Sequence, residues 1–353
     1  MNRRIFLAVL AFFLTLPVTL RADAWRGEVG WTFRAGASIS SGVAAAGDLV
    51  LFGDDTGMFY AVRRASGQLA WSYKGTNTIV GTPSVIEGGS GGRVVFAQEN
   101  GTIACLGLSD GAEIWVSAPS SSGSGAETVV DGTAAGNGKI FVSRGDGKLY
   151  ALNAANGETL WSYASEQELR SAPSFADGYV FLGEQSGKLS FIDPNTGKRV
   201  TGGGAGGPVN TPAAANGMLY VSSWDGSVQA IKIKGVIPQW KADIQDPVTT
   251  SPTVSGGKVF VGTARGGVAA VDAKSGAILW KFDTQGGSVS ACPICADGLV
   301  FAGGGQGVLS ILDAETGKLR FTFTTGGGIA GTPAFNGGVL YLGSGDGNLY
   351  AIL

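Results

Sequence analysis

The sequence predicts an all-β protein that folds as an eight-bladed β-propeller of four-stranded antiparallel blades. Three observations lead to this prediction: a unit that recurs about every forty residues, a composition suited to strands and tight turns, and an N-terminal segment that matches the one strand missing from the last unit. Repeats of this length with four short strands each are typical of propeller blades. The ring is therefore expected to form one domain over residues 25–353.

The repeated unit is clearest between Gly147 and Trp161. A glycine opens it, an apolar run follows, a second glycine comes ten residues later at Gly157, and an aromatic residue stands four positions beyond that. The apolar and β-branched residues alternate, which indicates strands, and Ser-Gly, Asn-Gly or Thr-Gly supplies the positive φ of a tight turn. Eight copies follow this frame, one of them a residue short and the last cut off after Leu353; they open at Gly57, Gly101, Gly147, Gly187, Gly226, Gly266, Gly307 and Gly347.

A second pair of strands precedes each copy. In the third unit it consists of residues 132–135 and 139–143 around Asn137-Gly138, a dipeptide typical of tight hairpins. The composition agrees with this organisation, because 60 glycines, three methionines and 15% charged residues suit strands and turns better than helices.

Closure of the ring follows from the two ends of the repeat. The last copy supplies only three strands before Leu353, and an open sheet edge would remain unless a fourth strand covers it. Residues 30–33 match the outer-strand endings at Trp71 and Trp161. We therefore expect residues 30–33 to complete the eighth blade as its outer strand.

Residues 1–24 have the features of a secretory signal peptide. Residues 2–4 are basic, residues 5–20 are apolar, and residues 22–24 form a small-x-small cleavage site. The exported chain is expected to begin at Trp25 and to be periplasmic.

Two alternatives concern how the chain is exported. An uncleaved membrane anchor is one, although Pro17 interrupts an apolar run that is already short for a spanning helix. Arg3-Arg4 also leaves the twin-arginine route open beside the general secretory route. No cysteine lies near the cleavage site, so lipid attachment is not expected.

Composition excludes several kinds of chemistry. The chain contains no histidine, which excludes serine-hydrolase triads and histidine-ligated zinc, copper or haem sites. The net charge is −2 with no basic run, so a nucleic-acid partner is not expected. Aspartates such as Asp54 and Asp146 lie in a turn that every blade has, and no calcium-loop pattern appears. We expect no catalytic residues and no metal site.

Tryptophan recurs at one position of the repeat. These side chains are predicted to wedge between neighbouring blades, with each indole N–H bonded to a backbone group of the neighbour. They are Trp31, Trp71, Trp115, Trp161, Trp240 and Trp280. Thr201 and Phe321 take that position in the fourth and seventh blades, so those two junctions are expected to be weaker.

The frame that runs from Ala270 through Asp272 and Gly276 to Trp280 resembles the tryptophan-docking repeat of quinoprotein-type (PQQ-repeat) eight-bladed propellers. The resemblance covers nearly all of the chain after residue 24. Two branches of that superfamily matter: the pyrroloquinoline-quinone dehydrogenases, and the BamB-type periplasmic scaffolds of outer-membrane β-barrel assembly.

The dehydrogenase branch fits this chain poorly. The resemblance would imply a quinone stacked on a disulfide between adjacent cysteines and a calcium ion held by acidic and amide side chains, but the cysteines here are Cys105, Cys292 and Cys295. Cys292 and Cys295 look like a redox pair, yet residues three apart on a strand point to opposite faces, so a direct disulfide is not expected. We expect no cofactor and no enzymatic activity; a quinone-dependent dehydrogenase or a ligand-binding exported propeller is the alternative.

The BamB-type branch fits better because Leu169-Arg170, just before Ser171-Ala172-Pro173, resembles that family's contact for the barrel-forming partner. Three departures accompany the match: the loop is two residues shorter, the lipid-attachment cysteine is absent, and residues 202–210 replace the acidic residues of the next loop. The resemblance implies a non-enzymatic scaffold, a monomeric ring peripheral to the membrane at most, with an outer-membrane assembly component as its protein partner.

The interaction surface is expected on the face that carries the loops entering each inner strand and the turns between second and third strands, called here the loop face. It collects Leu169, Arg170, Trp224 and an insertion at residues 118–127. Trp224 stands where other blades have residues such as Gln185, so the repeat does not require an aromatic there. An exposed aromatic near an arginine is typical of interaction hot spots.

Leu169, Arg170 and Trp224 are therefore the predicted protein-interface residues. Neither Leu169 nor Arg170 is expected to matter for folding. The alternative for Trp224 is that its ring only covers its own turn.

Overall fold

The computed structural model describes residues 25–86, 91–118, 129–167, 169, 171–284 and 287–353. The predicted signal peptide, Arg170 and residues 119–127 of the insertion lie outside the described residues. Within the described part, no helix is long and apolar enough to cross a membrane.

The described residues form strands that are all short. Those of the first half, in chain order, are β1 (Val29–Arg34), β2 (Ala44–Ala46), β3 (Leu49–Gly53), β4 (Met58–Arg63), β5 (Leu69–Lys74), β6 (Ile79–Ile86), β7 (Arg93–Gln98), β8 (Ile103–Gly107), β9 (Glu113–Ser117), β10 (Val129–Gly136), β11 (Lys139–Arg144), β12 (Lys148–Asn153), β13 (Thr159–Ala164), β14 (Ser174–Ala176), β15 (Tyr179–Gly183), β16 (Lys188–Ile192) and β17 (Arg199–Gly204). Those of the second half are β18 (Ala213–Ala215), β19 (Met218–Ser222), β20 (Ser227–Lys232), β21 (Ile237–Asp243), β22 (Thr253–Ser255), β23 (Lys258–Gly262), β24 (Gly267–Asp272), β25 (Ile278–Asp283), β26 (Ile294–Ala296), β27 (Leu299–Gly303), β28 (Val308–Asp313), β29 (Leu319–Thr324), β30 (Ala334–Asn336), β31 (Val339–Gly343) and β32 (Asn348–Ile352).

These strands form eight antiparallel sheets of four strands each, which confirms the predicted all-β, eight-bladed propeller. Blades 1 to 7 each take four consecutive strands, from β2–β5 through β26–β29. Blade 8 takes β30, β31, β32 and β1, in that spatial order from inside to outside. Thr32 lies opposite Tyr350 and Phe33 opposite Leu349, so the N-terminal strand closes the ring as predicted.

The hydrophobic core lies between blades. In blade 1 every residue of β3 is buried, and the ring of Phe59 on β4 stacks on Phe96 of blade 2 with centroids 4.2 Å apart. The middle strands read as continuous apolar runs because each is covered on both faces by a neighbouring blade. Outer strands such as β5 alternate between exposed and buried residues, because only one of their faces is covered.

The six repeat tryptophans join neighbouring blades at six of the eight junctions, as predicted. Each indole N–H donates to a backbone carbonyl of the following blade; the bond from Trp71 to Leu108 is 3.1 Å and that from Trp161 to Pro194 is 3.0 Å. Trp31 makes the same contact with Arg64, at 2.9 Å, and so carries the pattern across the closure of the ring. The other three bonds, from Trp115, Trp240 and Trp280, go to Ala154, Ala273 and Ala314.

The second glycine of the repeat frame has a packing role as well as a turn role. Gly111 has φ +69°, and a Cβ atom there would lie 2.4 Å from the ring of Trp71. The same close approach recurs beneath the tryptophans at Gly67, Gly157, Gly197, Gly276 and Gly317. Only glycine lets the indole of the preceding blade settle onto this turn.

Blade 7 has Phe321 in place of the repeat tryptophan. There Trp25 packs edge-on against Phe321 and against Phe301, with centroids 5.9 Å and 5.3 Å away, and only 8% of Trp25 is exposed. The following N–H groups of Arg26, Gly27 and Glu28 all donate to the carbonyl of Leu353. Trp25, which the repeat frame does not include, thus fills the junction between blades 7 and 8.

Removing residues 25–34 should open this junction and expose β32 as a sheet edge. We expect chain 35–353 to aggregate, or to melt roughly 10 °C or more below chain 25–353, because it loses β1 together with the contacts of Trp25 and Trp31. Thermal unfolding and analytical ultracentrifugation of the two proteins measure this. Equal melting temperatures would refute closure by β1.

A matched pair of glycine substitutions tests the docking contact. Gly217 has φ +73°, and a Cβ atom there would have no neighbour within 4 Å, so Gly217→Ala should cost only the left-handed backbone conformation, about 1–2 kcal/mol. Gly111→Ala carries the same backbone cost and also displaces Trp71, for a total on the order of 3–5 kcal/mol. Chemical denaturation gives both free energies of unfolding. Equal losses would show that Gly111 serves only the turn.

Candidate functional site

The described residues form a central channel of about 670 Å³ on the loop face. All eight blades line it, through the loops entering the inner strands or, in blades 2 and 3, through β6 and β10 themselves, and the turns after the second strands add Gln185 and Trp224. Loops and turns therefore share one face, as predicted. Nine of its twenty-two lining residues are serine or threonine, and none of the twenty-two carries a charge.

Single β-bridges hold several of these loops against the turns. Val209 bridges Ser223, Val248 bridges Thr263 and Val289 bridges Gly304, so that one apolar residue anchors each of these loops to a turn. These three valines are buried. The loop residues that follow each anchor are then presented to the channel.

Leu169 occupies the same anchor position in blade 4. It bridges Glu184, is only 1% exposed, and packs with Phe141 and Leu182 in a cluster shared by blades 3 and 4. The expectation that Leu169 does not matter for folding is therefore wrong, and its side chain offers no apolar area at the surface. The sequence contains a signal for the burial of Leu169, because an apolar residue stands three or four positions before the proline of the loop in this and the later blades.

The other two predicted interface residues have different outcomes. Arg170 lies outside the described residues, so its role remains a prediction. Trp224 lies at the mouth of the channel with 53% of its surface exposed, and its backbone N–H donates to Pro208. This exposure leaves the residue accessible to a partner, and its interface role stays a prediction.

Asp225 fixes the turn that carries Trp224. Its carboxylate accepts hydrogen bonds from the N–H and the hydroxyl of Ser227, at 2.9 and 2.6 Å, and from the N–H of Gly206 in the loop that enters this blade, at 3.0 Å. Lys241 lies 3.4 Å away. Partial burial alone would raise the pKa of Asp225, but the bonds from Ser227 and the charge of Lys241 outweigh it and lower the pKa to about 2.

The cysteines do not form a redox site. Cys292, in the loop before β26, lines the channel, whereas Cys295, on β26, packs with Phe260 and Trp280 between blades 6 and 7, so the two side chains lie in different surroundings. All three cysteines are thiols in this structure. Burial raises the pKa of Cys295, and it raises the pKa of Cys105 to about 11, so neither is a reactive thiolate near neutral pH.

The cofactors of the dehydrogenase branch do not fit the channel. Pyrroloquinoline quinone is a tricarboxylate, and no basic side chain is among the described residues that line the cavity. Nor do the described residues contain a group of three or more carboxylate or thiol side chains that could hold a metal ion.

Known proteins resemble this chain along nearly its whole length. A family model described as "Outer membrane protein assembly factor BamB" matches residues 19–89, 86–202, 201–293 and 264–352. The protein of that name from Alkalilimnicola ehrlichii is 28% identical over 210 residues, which are 55% of this chain and 51% of the relative. The chain spans about half the length of the curated relatives it matches.

Two further similarities bear on fold and on chemistry. The crystal structure of BamB from Moraxella catarrhalis has a TM-score of 0.77 at 20% identity and covers 92% of this chain and 96% of its own, which shows a shared fold. A tetrathionate hydrolase of Acidithiobacillus ferrooxidans is 27% identical over 158 residues, which are 43% of this chain but 26% of that enzyme.

The carboxylate of Asp225 should make the stability of this region depend on pH. Its pKa of about 2 in the folded chain lies below the ordinary value of about 3.9, so its contribution is complete above about pH 4 and is lost as the pH falls through 2. Asp225→Asn should lower the free energy of unfolding by about 1–2 kcal/mol at pH 6 and by almost nothing at pH 2.

Asp177→Asn is the matched control for this experiment. It makes the same charge change in an exposed Asp-Gly hairpin for which other blades use Asn-Gly, so it should be nearly neutral at both pH values. Denaturant titrations at the two pH values give the four differences. A loss at Asp225 that is the same at pH 2 as at pH 6 would contradict the anchoring role of the ionised carboxylate.

Proposed function

The chain belongs to the family of outer membrane protein assembly factor BamB, and from that premise we propose that it is a non-enzymatic periplasmic scaffold that holds a protein partner during outer-membrane β-barrel assembly. The match of the family model across all eight blades is the observation that carries this proposal. Residues 1–24 would direct export, and the ring would act as a monomer on the periplasmic side of the membrane.

The geometry of the loop face supports a binding role. Trp224 presents a half-exposed indole on a turn that Asp225 ties to the loop entering the same blade, so little conformational freedom is lost when a partner packs on it. Large aromatic and arginine side chains carry a disproportionate share of binding energy at protein interfaces. Arg170, in the loop that enters the adjacent blade, would add a planar fork of donors suited to carboxylates or carbonyls of the partner.

An enzymatic role has less support. The match to the hydrolase covers about a quarter of that enzyme, and the described channel residues offer neither a charged group nor a metal-binding cluster for catalysis. The channel wall is instead made of neutral hydrogen-bonding groups, which suit binding.

Partner capture tests the proposal directly. Arg170→Ala and Trp224→Ala should each weaken co-purification of an outer-membrane assembly component by about tenfold or more, with melting temperatures nearly unchanged. The matched control is Arg265→Ala, an arginine on the same face of blade 6 whose side chain is 81% exposed; it should capture as the wild type does. Quantitative mass spectrometry of cross-linked complexes from the periplasm of the organism that encodes the chain measures capture.

Two results would count against the proposal. Capture of the same component by the Arg170→Ala, Trp224→Ala double variant at wild-type level would place the working surface elsewhere. Absence of any outer-membrane assembly component from the wild-type complexes would remove the scaffold role itself.

Leu169→Ala should behave differently from these surface variants. Because Leu169 is buried against Phe141 and Leu182, its truncation should lower the free energy of unfolding by about 2–5 kcal/mol. Denaturant unfolding measures this, and a change below about 0.5 kcal/mol would contradict the anchor role. Any loss of capture in this variant would follow from misfolding of the loop.

A further inference from the structure

The proposed binding of a protein partner involves only the rim of the central channel. The size and chemistry of the cavity itself play no part in it. Its volume of about 670 Å³ falls within the range of roughly 300–1,000 Å³ that small-molecule sites occupy. It is built from all eight blades, so its shape is set by the closed ring. A cavity of this size and rigidity is suited to a ligand of its own.

The chemistry of the wall indicates a neutral ligand. None of its described lining residues is charged, so an ionic ligand would lose its hydration without gaining a counter-charge, which is costly. The wall has nine hydroxyl side chains. Some of them, such as Ser171 and Thr249, donate to backbone carbonyls and keep only their acceptor capacity for a ligand. The hydroxyl of Thr211 and the carboxamide oxygen of Gln185 are buried without a hydrogen-bond partner. A hydroxyl group without such a bond can donate one hydrogen bond and accept two, which matches a ligand that itself carries many hydroxyl groups.

Trp224 adds the one large aromatic surface of the described channel. Its indole lies at the mouth, is 53% exposed, and combines an apolar ring face with a single N–H donor. A sugar ring has the complementary form, with one face of C–H groups that packs on an aromatic ring and hydroxyl groups around its edge. The carboxylate of Asp225 holds the turn in place before any ligand arrives.

We infer that the central channel binds a neutral oligosaccharide, with one sugar ring stacked on Trp224 at the mouth and the next rings hydrogen-bonded to the hydroxyl groups of the wall. An extended peptide is less suited, because only β6 and β10 contribute strand residues to the wall, two each, which is too few for the row of unpaired backbone groups that a strand edge offers. The site does not depend on the proposed scaffold role. A saccharide and a protein partner would compete for the indole of Trp224.

Titration of purified chain 25–353 with maltotriose, cellotriose and chitotriose tests the inference without any protein partner. At least one of these neutral trisaccharides should bind at millimolar concentration and shift the tryptophan emission. Trp224→Gln, which installs the type of residue that blade 4 has at this position, should weaken that binding at least tenfold. Leu69→Gln removes an equally exposed apolar side chain from an outer strand away from the channel, and it should leave binding unchanged.

A second variant probes the wall independently of Trp224. Ser251→Ala combined with Thr332→Val removes two channel hydroxyl groups with little change of shape, and it should weaken binding several-fold at an unchanged melting temperature. Isothermal titration calorimetry measures both variants. The inference is overturned if none of the three trisaccharides binds, if Trp224→Gln binds as well as the wild type, or if tri-galacturonate or a neutral Gly-Ser-Asn hexapeptide binds more tightly than every neutral trisaccharide.

Discussion

The ring depends on one contact, the hydrogen bond from a tryptophan indole on the outer strand of one blade to a backbone carbonyl of the next. The bond satisfies a buried N–H, and the indole fills the space above a glycine that no other residue could replace without a clash. Six of the eight junctions have this contact, and Trp25 fills the junction of blades 7 and 8 in another way, so that a tryptophan holds seven of the eight junctions. The positions of all the loops follow from these ties.

Two classes of residue result from this arrangement. Residues enclosed between blades stabilise the fold, and residues on the loop face are available for binding. The middle strands are enclosed between blades, and the loop anchors Leu169, Val209, Val248 and Val289 are buried. What remains available is the set of side chains that follow each anchor and the turns after the second strands. Trp224 belongs to this set, and the repeat has no structural need for an aromatic residue there, which is why both proposals depend on it.

The structural roles of Leu169 and Trp25 were not predicted from the sequence. The resemblance to a partner contact predicts Leu169 as a surface residue, but its place before the loop proline puts it in phase with the buried anchors of the other blades. The repeat frame omits Trp25 because this residue precedes the first repeat. Its partners, Phe301 and Phe321, are nearly three hundred residues away in the chain, and only closure of the ring brings them together.

The sequence by itself determined the strands, the number of blades, the closing strand and the docking tryptophans, because each of these is written as a local pattern that recurs at a constant spacing. The tertiary structure alone decided which residues share a site. The uncharged channel is assembled from loops about forty residues apart, and the exposure of Trp224 depends on how Gly206 and Pro208 of the preceding loop meet its turn. Such distances and exposures arise from the packing of whole blades, and no local pattern encodes them.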